Sequence, residues 1–259
     1  MGFDRATQFG AASRLRAVSF LTEGITLIDQ AISSPTLLSV DDVCKDYPDG
    51  NVRALDHVSF DIRSGEYVAI MGPSGSGKST LLSILGTLDR PTSGTVSFDG
   101  KTIDASTNLD DLRSQFIGFI FQSFYLLPTL TALENIQVPM FGRGMTGAQR
   151  TEKAWQLIES VGMSDRAKHL PKQLSVGQRQ RIAIARSLAN DPRLLLADEP
   201  TGNLDTVTAD SILELFAELH SEREMTLITV THSEEVAASA QRILRVRDGR
   251  IESDQLTGV

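Results

Sequence analysis

Tyr67-Val68-Ala69-Ile70-Met71, then Gly72-Pro73-Ser74-Gly75-Ser76-Gly77-Lys78-Ser79-Thr80, then Leu81-Leu82-Ser83-Ile84-Leu85, is the stretch that decides the fold. Five apolar residues read as a buried strand, the glycine-rich run as a loop, and the leucine-rich run as a helix. In that setting Gly-x-x-x-x-Gly-Lys-Ser reads as a phosphate-binding loop. Glycines let the backbone curl until its N–H groups point inward at phosphate oxygens. Lys78 supplies positive charge to the β- and γ-phosphates of a nucleoside triphosphate, Ser79 offers its hydroxyl to Mg²⁺, and the helix dipole favours the anion. The alternative is a glycine-rich turn that ends in Lys-Ser by chance. It has to explain every fixed position and both flanking elements at once.

Downstream, Arg193-Leu194-Leu195-Leu196-Ala197 reads as a buried strand ending in Asp198-Glu199. Ligands of α/β sheets bind at the carboxyl ends of strands. There Asp198 is placed to hold Mg²⁺ through its water shell, and Glu199 to polarise an attacking water as general base. Alone, such a run is an ordinary solvated strand end; the phosphate loop gives it the chemical reading. Upstream, Leu37–Val43, Ala54–Ile62 and Thr95–Gly100 read as strands separated by turns such as Pro48-Asp49-Gly50. Helical spacing dominates from about Asp110 to Lys172, with breaks at Gly142, Gly144, Gly147 and Gly162. Beyond it, a helix over Thr206–Arg223, a strand over Thr226–Thr231 and a short helix from Ser233 alternate. That alternation implies a parallel sheet with helices on both faces.

The 259 residues suit one large domain or two small ones, and 41% hydrophobic with 22% charged residues is the mix of a soluble globular chain. A net charge of −8 argues against a broad basic face, so no nucleic-acid partner is expected. Cys44 is the single cysteine, which excludes an intrachain disulfide and a multi-cysteine zinc site and suggests a reducing, cytosolic setting. Ser114–Leu133 carries no charge, yet Gln115, Gln122, Thr129 and Pro128 interrupt it, so it is not read as a membrane span. Residues 1–36 read as an extension with balanced charge, either a helix capping the body, a loosely ordered tail, or a surface-seeking amphipathic anchor. Glu23 breaks its apolar stretch, and it is not read as a signal peptide.

Leu174-Ser175-Val176-Gly177-Gln178, followed by Arg179-Gln180-Arg181 and the helical Ile182–Arg186, has no place in a generic phosphate-loop enzyme. It resembles the signature of ATP-binding cassette proteins, and the similarity runs from Leu37 to about Ile251. The resemblance implies an α/β P-loop NTPase fold: a RecA-like core, an antiparallel β subdomain, and a helical subdomain over about 110–190, all within residues 37–259. It implies ATP and Mg²⁺ as ligands, with Tyr47 stacking on adenine and Gln122 in a glutamine loop that joins Ser79 and Asp198 at the metal. Gly202-Asn203-Leu204-Asp205 corresponds to a dimer-contact loop, and Thr231-His232 to a switch that senses the γ-phosphate. Blander readings stand beside these: His232 as a helix cap, Tyr47 as packing, Asp205 as the N-cap of the Thr206 helix.

The resemblance further implies a head-to-tail dimer, most simply of two identical chains, in which each phosphate loop faces the other chain's Ser175, Gly177 and Gln178. Those residues sit at a predicted helix N-terminus, a second anion site that one chain cannot bring to its own γ-phosphate. One departure stands out, because the family pattern has glycine where this chain has Val176. A β-branched residue there would be strained if the backbone needs a positive φ. The implied job is to energise a separate membrane permease from the inner face of the cell membrane, the permease docking beside Gln122, where Phe116, Phe119, Phe121, Phe124, Tyr125 and Phe141 cluster. Leu85–Gly94, Phe121–Met140 and Leu196–Asp205 resemble the lipoprotein-release and macrolide-export branch. The alternative is a regulatory cassette that controls a membrane partner without transport, as in a cell-division relative.

Overall fold

Pairing partners and the side from which each strand is buried sort the chain into two sheets. The computed structural model describes residues 34–48 and 51–257. In chain order the elements are β1 (Thr36–Tyr47), β2 (Val52–Arg63), β3 (Tyr67–Met71), α1 (Lys78–Leu85), β4 (Ser93–Phe98), β5 (Lys101–Thr102), α2 (Leu109–Phe116), β6 (Ile117–Phe121), α3 (Ala132–Gln137), α4 (Gly147–Ser160), α5 (Val176–Ser187), β7 (Leu194–Asp198), α6 (Thr206–Arg223), β8 (Thr226–Thr231), α7 (Glu234–Ala238), β9 (Arg242–Arg247) and β10 (Arg250–Leu256). The expected helix or anchor in the N-terminal extension lies outside the described residues, as do Asp49 and Gly50 of the turn after Pro48.

β2, β1, β4 and β5 form an antiparallel sheet in that order. The second sheet runs β10-β9-β3-β8-β7-β6, parallel from β9 to β6 with β10 antiparallel on its edge. Because both faces are covered, β3 (Tyr-Val-Ala-Ile-Met) and residues Leu194–Ala197 of β7 are continuous apolar runs, and β8 buries its three threonines along with Leu227, Ile228 and Val230. Successive side chains of a strand point to opposite faces, and β3 divides accordingly. Val68 and Ile70 join the core between the two sheets and around α1, whereas Ala69 and Met71 join the core under α3, α4, α5 and α6. β7 splits the same way, Leu194 and Leu196 against Leu195 and Ala197. Helix α1 is therefore enclosed: Leu81, Leu82, Ile84 and Leu85 are all buried, each contributing about 1.5–3 kcal/mol of apolar transfer. The expected helices on both faces are present, and no helix among the described residues is long and apolar enough to cross a membrane.

The helical span read from about Asp110 to Lys172 needs a correction, since Ile117–Phe121 is a strand of the parallel sheet. Ile117 faces one core and Ile120 the other, so Ile-Gly-Phe-Ile-Phe shows no polar alternation that would mark a strand. The charge-free Ser114–Leu133 stretch is explained by that burial. Gly147 also begins α4 rather than breaking it, with Thr146 as its N-cap. β5, β9 and β10 are further strands that spacing did not reveal; β9 in particular, Arg-Ile-Leu-Arg-Val-Arg, keeps arginines at a sheet position beside the edge strand.

With Ile120 fully buried in a strand, Ile120→Ala is expected to cost about 2–5 kcal/mol of unfolding free energy. Gln115→Ala, exposed on α2, should fall within about 0.5 kcal/mol of the parent. Urea unfolding of the two variants checks the assignment, and equal costs would refute it.

Candidate functional site

Register builds the site. Met71 of β3 pairs with Thr231 of β8, Val230 of β8 with Asp198 of β7, and Asp198 with Phe121 of β6. Four parallel strands thus end nearly level, and the residues that follow them in the chain are Gly72, His232, Glu199 and Gln122. The cleft above this row is about 500 Å³ and is lined by Ser74, Gly75, Lys78, Ser79, Asp198, Glu199, Val230 and His232.

The phosphate loop is wedged between main-chain segments of both sheets. A Cβ on Gly72 would come within 2.0 Å of the Val246 carbonyl oxygen, and one on Gly77 within 2.4 Å of the Ala54 carbonyl oxygen, so neither position admits another residue. Gly77 has φ 101° and begins α1 without any side-chain cap. The other six α-helices described are capped by Asn108, Thr131, Thr146, Ser175, Asp205 and Ser233, each accepting from a first-turn N–H. The first-turn N–H groups of α1 are left for an anion instead. Lys78 is buried, and its Nζ donates to the Gly72 and Pro73 carbonyls at 2.8 Å each, which fixes its charge inside the loop. The Ser76 hydroxyl is buried without a partner, a second polar group in the loop that the fold leaves unsatisfied. Ser79 is exposed to the cleft and Thr80 is half-buried on α1.

Across the cleft, burial and the neighbouring Glu199 charge push the Asp198 carboxyl above its ordinary value, while Lys78 pulls it back. Two adjacent carboxylates and a serine hydroxyl form a set of hard oxygen donors, and with a single lysine facing them in the cleft they keep excess negative charge, a chemistry that fits Mg²⁺. Glu199 sits at φ 45°, a left-handed backbone that costs a non-glycine residue roughly 1–3 kcal/mol. It is held there by its N–H to the Val230 carbonyl at 2.9 Å, by the Thr231 hydroxyl at 3.3 Å and by His232 Nδ1 at 2.7 Å. Ser233, not His232, caps α7, so the histidine is free of the structural duty that its position suggested.

The remaining sequence-derived residues stand outside the cleft lining. Ser175 and Gln178 form a capping box at the start of α5, each accepting from the other's N–H. Val176 is the first residue of that helix, is exposed, and is not among the residues with positive φ, so valine there carries no backbone strain. Gly177 is the constrained position, because a Cβ on it would lie 2.3 Å from Thr208 Cγ2 on α6. Asp205 caps α6 by accepting from Thr208 N and Oγ1, and these bonds hold its carboxyl below the usual range. Gln122 lies against the Gly202 backbone, and its carbonyl accepts from Asn203 Nδ2 at 3.0 Å. Tyr47 closes β1 with its ring partly exposed and its hydroxyl donating to Asp89 at 3.2 Å. Of the aromatic residues grouped around Gln122 in sequence, Tyr125 and Phe141 are exposed at 65% and 59%, whereas Phe116, Phe119, Phe121 and Phe124 are half-buried.

Two residues escaped the sequence reading. Arg186 donates to the Phe124 and Tyr125 carbonyls at 2.6 Å each, and burial lowers its pKa. Phe124 and Tyr125 both have positive φ, so Arg186 clamps a turn that two aromatic residues would not adopt unaided. Gln180 is fully buried and donates to the Pro200 carbonyl at 2.7 Å, tying α5 to the segment after Glu199. Sequence offers no signal for either, since both act on backbone oxygens distant in the chain.

A family model described as ABC transporter matches residues 55–202. An ABC transporter ATP-binding protein of Thermotoga maritima is 54% identical over 222 residues, covering 84% of this chain and 94% of its own length. The macrolide export ATP-binding/permease protein MacB of Rhodopirellula baltica is 50% identical over 216 residues, 81% of this chain and 32% of that protein. Among solved structures, the ATP-binding cassette MJ0796, a dimer in a post-hydrolysis state bound to ADP and Pi, superposes with a TM-score of 0.79 at 41% identity, covering 85% of this chain and 99% of that one. The chain belongs to the ABC transporter ATP-binding family and is an ATPase of that family. Its two sheets and helical layer are the cassette fold expected from the sequence.

Because Val176 carries no strain, Val176→Gly is expected to change the ATPase rate by less than about tenfold, or 1.4 kcal/mol of barrier. Gly177→Val should instead force α5 off α6 and lower stability by about 1–3 kcal/mol. Steady-state hydrolysis and thermal unfolding of the pair check this, and a Val176→Gly enzyme many times faster than the parent would reverse the interpretation.

Proposed function

We propose that this chain is the ATP-hydrolysing subunit of an export or mechanotransmission system, closing as a head-to-tail dimer on two ATP molecules to drive a separate membrane permease. The observation that carries the reading is the division of the site: Lys78, Asp198, Glu199 and His232 share one cleft, while Ser175, Gly177 and Gln178 stand outside its lining. A second copy would bring its α5 N-terminus to the open side.

In that arrangement the α1 N–H groups and Lys78 hold the β- and γ-phosphates, and Tyr47 stacks on adenine. Ser79 and Asp198, with Gln122, would hold Mg²⁺, which supplies positive charge against the phosphates. Glu199 accepts a proton from the attacking water while the water oxygen bonds to the γ-phosphorus and the bond to the ADP oxygen breaks. His232, 2.7 Å from Glu199, fixes the orientation of that carboxylate and presents its exposed edge to the γ-phosphate. Ser175 and the α5 N-terminus of the other copy complete the anion site, so hydrolysis removes charge that both copies bind, and closure follows nucleotide state.

The membrane role draws support from relatives. MacB is named as an ATP-binding/permease protein and is matched over only 32% of its length, whereas the Thermotoga relative is of cassette length, which favours a permease on a separate chain. Exposed Tyr125 and Leu127, which follow Gln122 closely in the chain, supply apolar surface for the permease to dock on, at the inner face of the membrane. Cargo specificity would reside in the permease.

Glu199→Gln should bind ATP, hydrolyse it at least about 100-fold more slowly, and elute as a dimer in ATP. Hydrolysis near the parental rate would remove Glu199 from the proton transfer. Lys78→Ala should lose ATP affinity itself, as read by equilibrium binding. Mild-detergent extraction of tagged Glu199→Gln from its host in ATP tests the membrane role. Co-purification of a multi-span protein with a large extracytoplasmic domain supports it, and recovery of only a soluble dimer sinks the transport reading.

A further inference from the structure

Tyr47 ends β1 and pairs with Val52 across the hairpin. Two residues further on, the Ala54 carbonyl is the group pressed against Gly77, so this end of the antiparallel sheet adjoins the phosphate loop. A tyrosine there is useful for stacking only if its ring is held still. Lys45 Nζ lies 5.1 Å from the Tyr47 ring centroid and donates to Asp89 Oδ1 and to the Arg90 carbonyl, each at 2.8 Å. The other oxygen of Asp89 accepts from the Tyr47 hydroxyl at 3.2 Å.

The brace is anchored on both sides. Asp89 follows α1, and its N–H donates to the Ser83 carbonyl, so its position is set by the phosphate-loop helix. Thr92 N–H donates to the Cys44 carbonyl at 2.8 Å, and Asp46 N–H to Thr92 Oγ1 at 3.0 Å, which lock the end of β1 to the same turn. Lys45 is largely shielded, its side chain 13% exposed, while the Tyr47 residue stays 38% exposed. A cation covers one face of the ring, and the exposed remainder is what a base can meet.

We propose that Lys45 and Asp89 are positioning residues that fix the Tyr47 ring for stacking on the nucleotide base, so that the α1 helix sets the base site and the phosphate site as one rigid unit. This rests on the adenine-stacking reading of Tyr47 given above. The brace acts on the base alone: tripolyphosphate, which has no base, gains nothing from it.

The test measures equilibrium binding of ATP and of tripolyphosphate, each with Mg²⁺, to the full chain and to four variants. Tyr47→Ala is expected to weaken ATP by about fivefold or more through loss of stacking. Lys45→Met and Asp89→Asn should weaken it by about threefold or more, and Lys45→Arg, which keeps a cation over the ring and a partner for Asp89, should restore it. Tripolyphosphate affinity should stay within about 1.5-fold in all four. If Tyr47→Ala weakens ATP while Lys45→Met and Asp89→Asn do not, the brace is refuted and the stacking reading stands. If Tyr47→Ala itself leaves ATP binding unchanged, both fall. Equal weakening of ATP and tripolyphosphate, without rescue by Lys45→Arg, would make the pair a plain structural tie and overturn the proposal.

Discussion

The register of four parallel strands is the constraint on which the rest depends. Neighbouring strands lie about 4.8 Å apart, and the pairings Met71 with Thr231, Val230 with Asp198, and Asp198 with Phe121 make them stop nearly together. The phosphate loop, the histidine, the acidic pair and the glutamine therefore emerge as a row. A slip of one residue in any strand would turn its side chains to the opposite face, exchanging one buried core for the other. Burial on both faces thus fixes the chemistry at the strand ends.

Charge and strain in the cleft follow from that row. Asp198 and Glu199 are successive residues facing one lysine that the loop carbonyls already hold, and burial of Asp198 leaves negative charge without full compensation. Glu199 has a left-handed backbone and lines the same cleft as the preceding Asp198, and contacts from β8 hold it there. The turn at Phe124 and Tyr125 is a second strained segment, and Arg186 stabilises it from α5, the helix that begins at Ser175. Left-handed backbone thus occurs at Glu199 after β7 and at Phe124 and Tyr125 after β6, and each of these segments is held by hydrogen bonds from another element.

Much of this was legible in the sequence, for physical reasons that differ by element. The loop from Gly72 to Thr80 was plain because wedging between two main chains leaves glycine as the sole choice at fixed spacings. β7, α6 and β8 were legible because strand and helix alternate there with clear ends. β6 was misread as helix because a strand buried on both faces loses its alternation, and the same burial produced the charge-free stretch around it. At Val176 strain depended on a positive φ, a condition the helix start does not impose, and the spatial demand falls on Gly177 through Thr208 of α6. Arg186, Gln180 and the Lys45–Asp89 pair were illegible, because their partners are backbone oxygens or side chains brought near only by the completed fold.

The capping box at Ser175 explains a choice of residue. As a cap, Ser175 uses its oxygen as an acceptor for the Gln178 N–H, a task that aspartate or asparagine performs equally well. A hydroxyl has two acceptor sites and one proton, however, so its proton is still free to donate once the helix is capped. In the closed dimer proposed above, that proton can meet a phosphate while the cap stays intact. Ligand arrival and departure then leave the first turn of α5 unfrayed. In that dimer serine would put the end of a helix and a ligand contact on one atom, which aspartate, having no proton when ionised, could not.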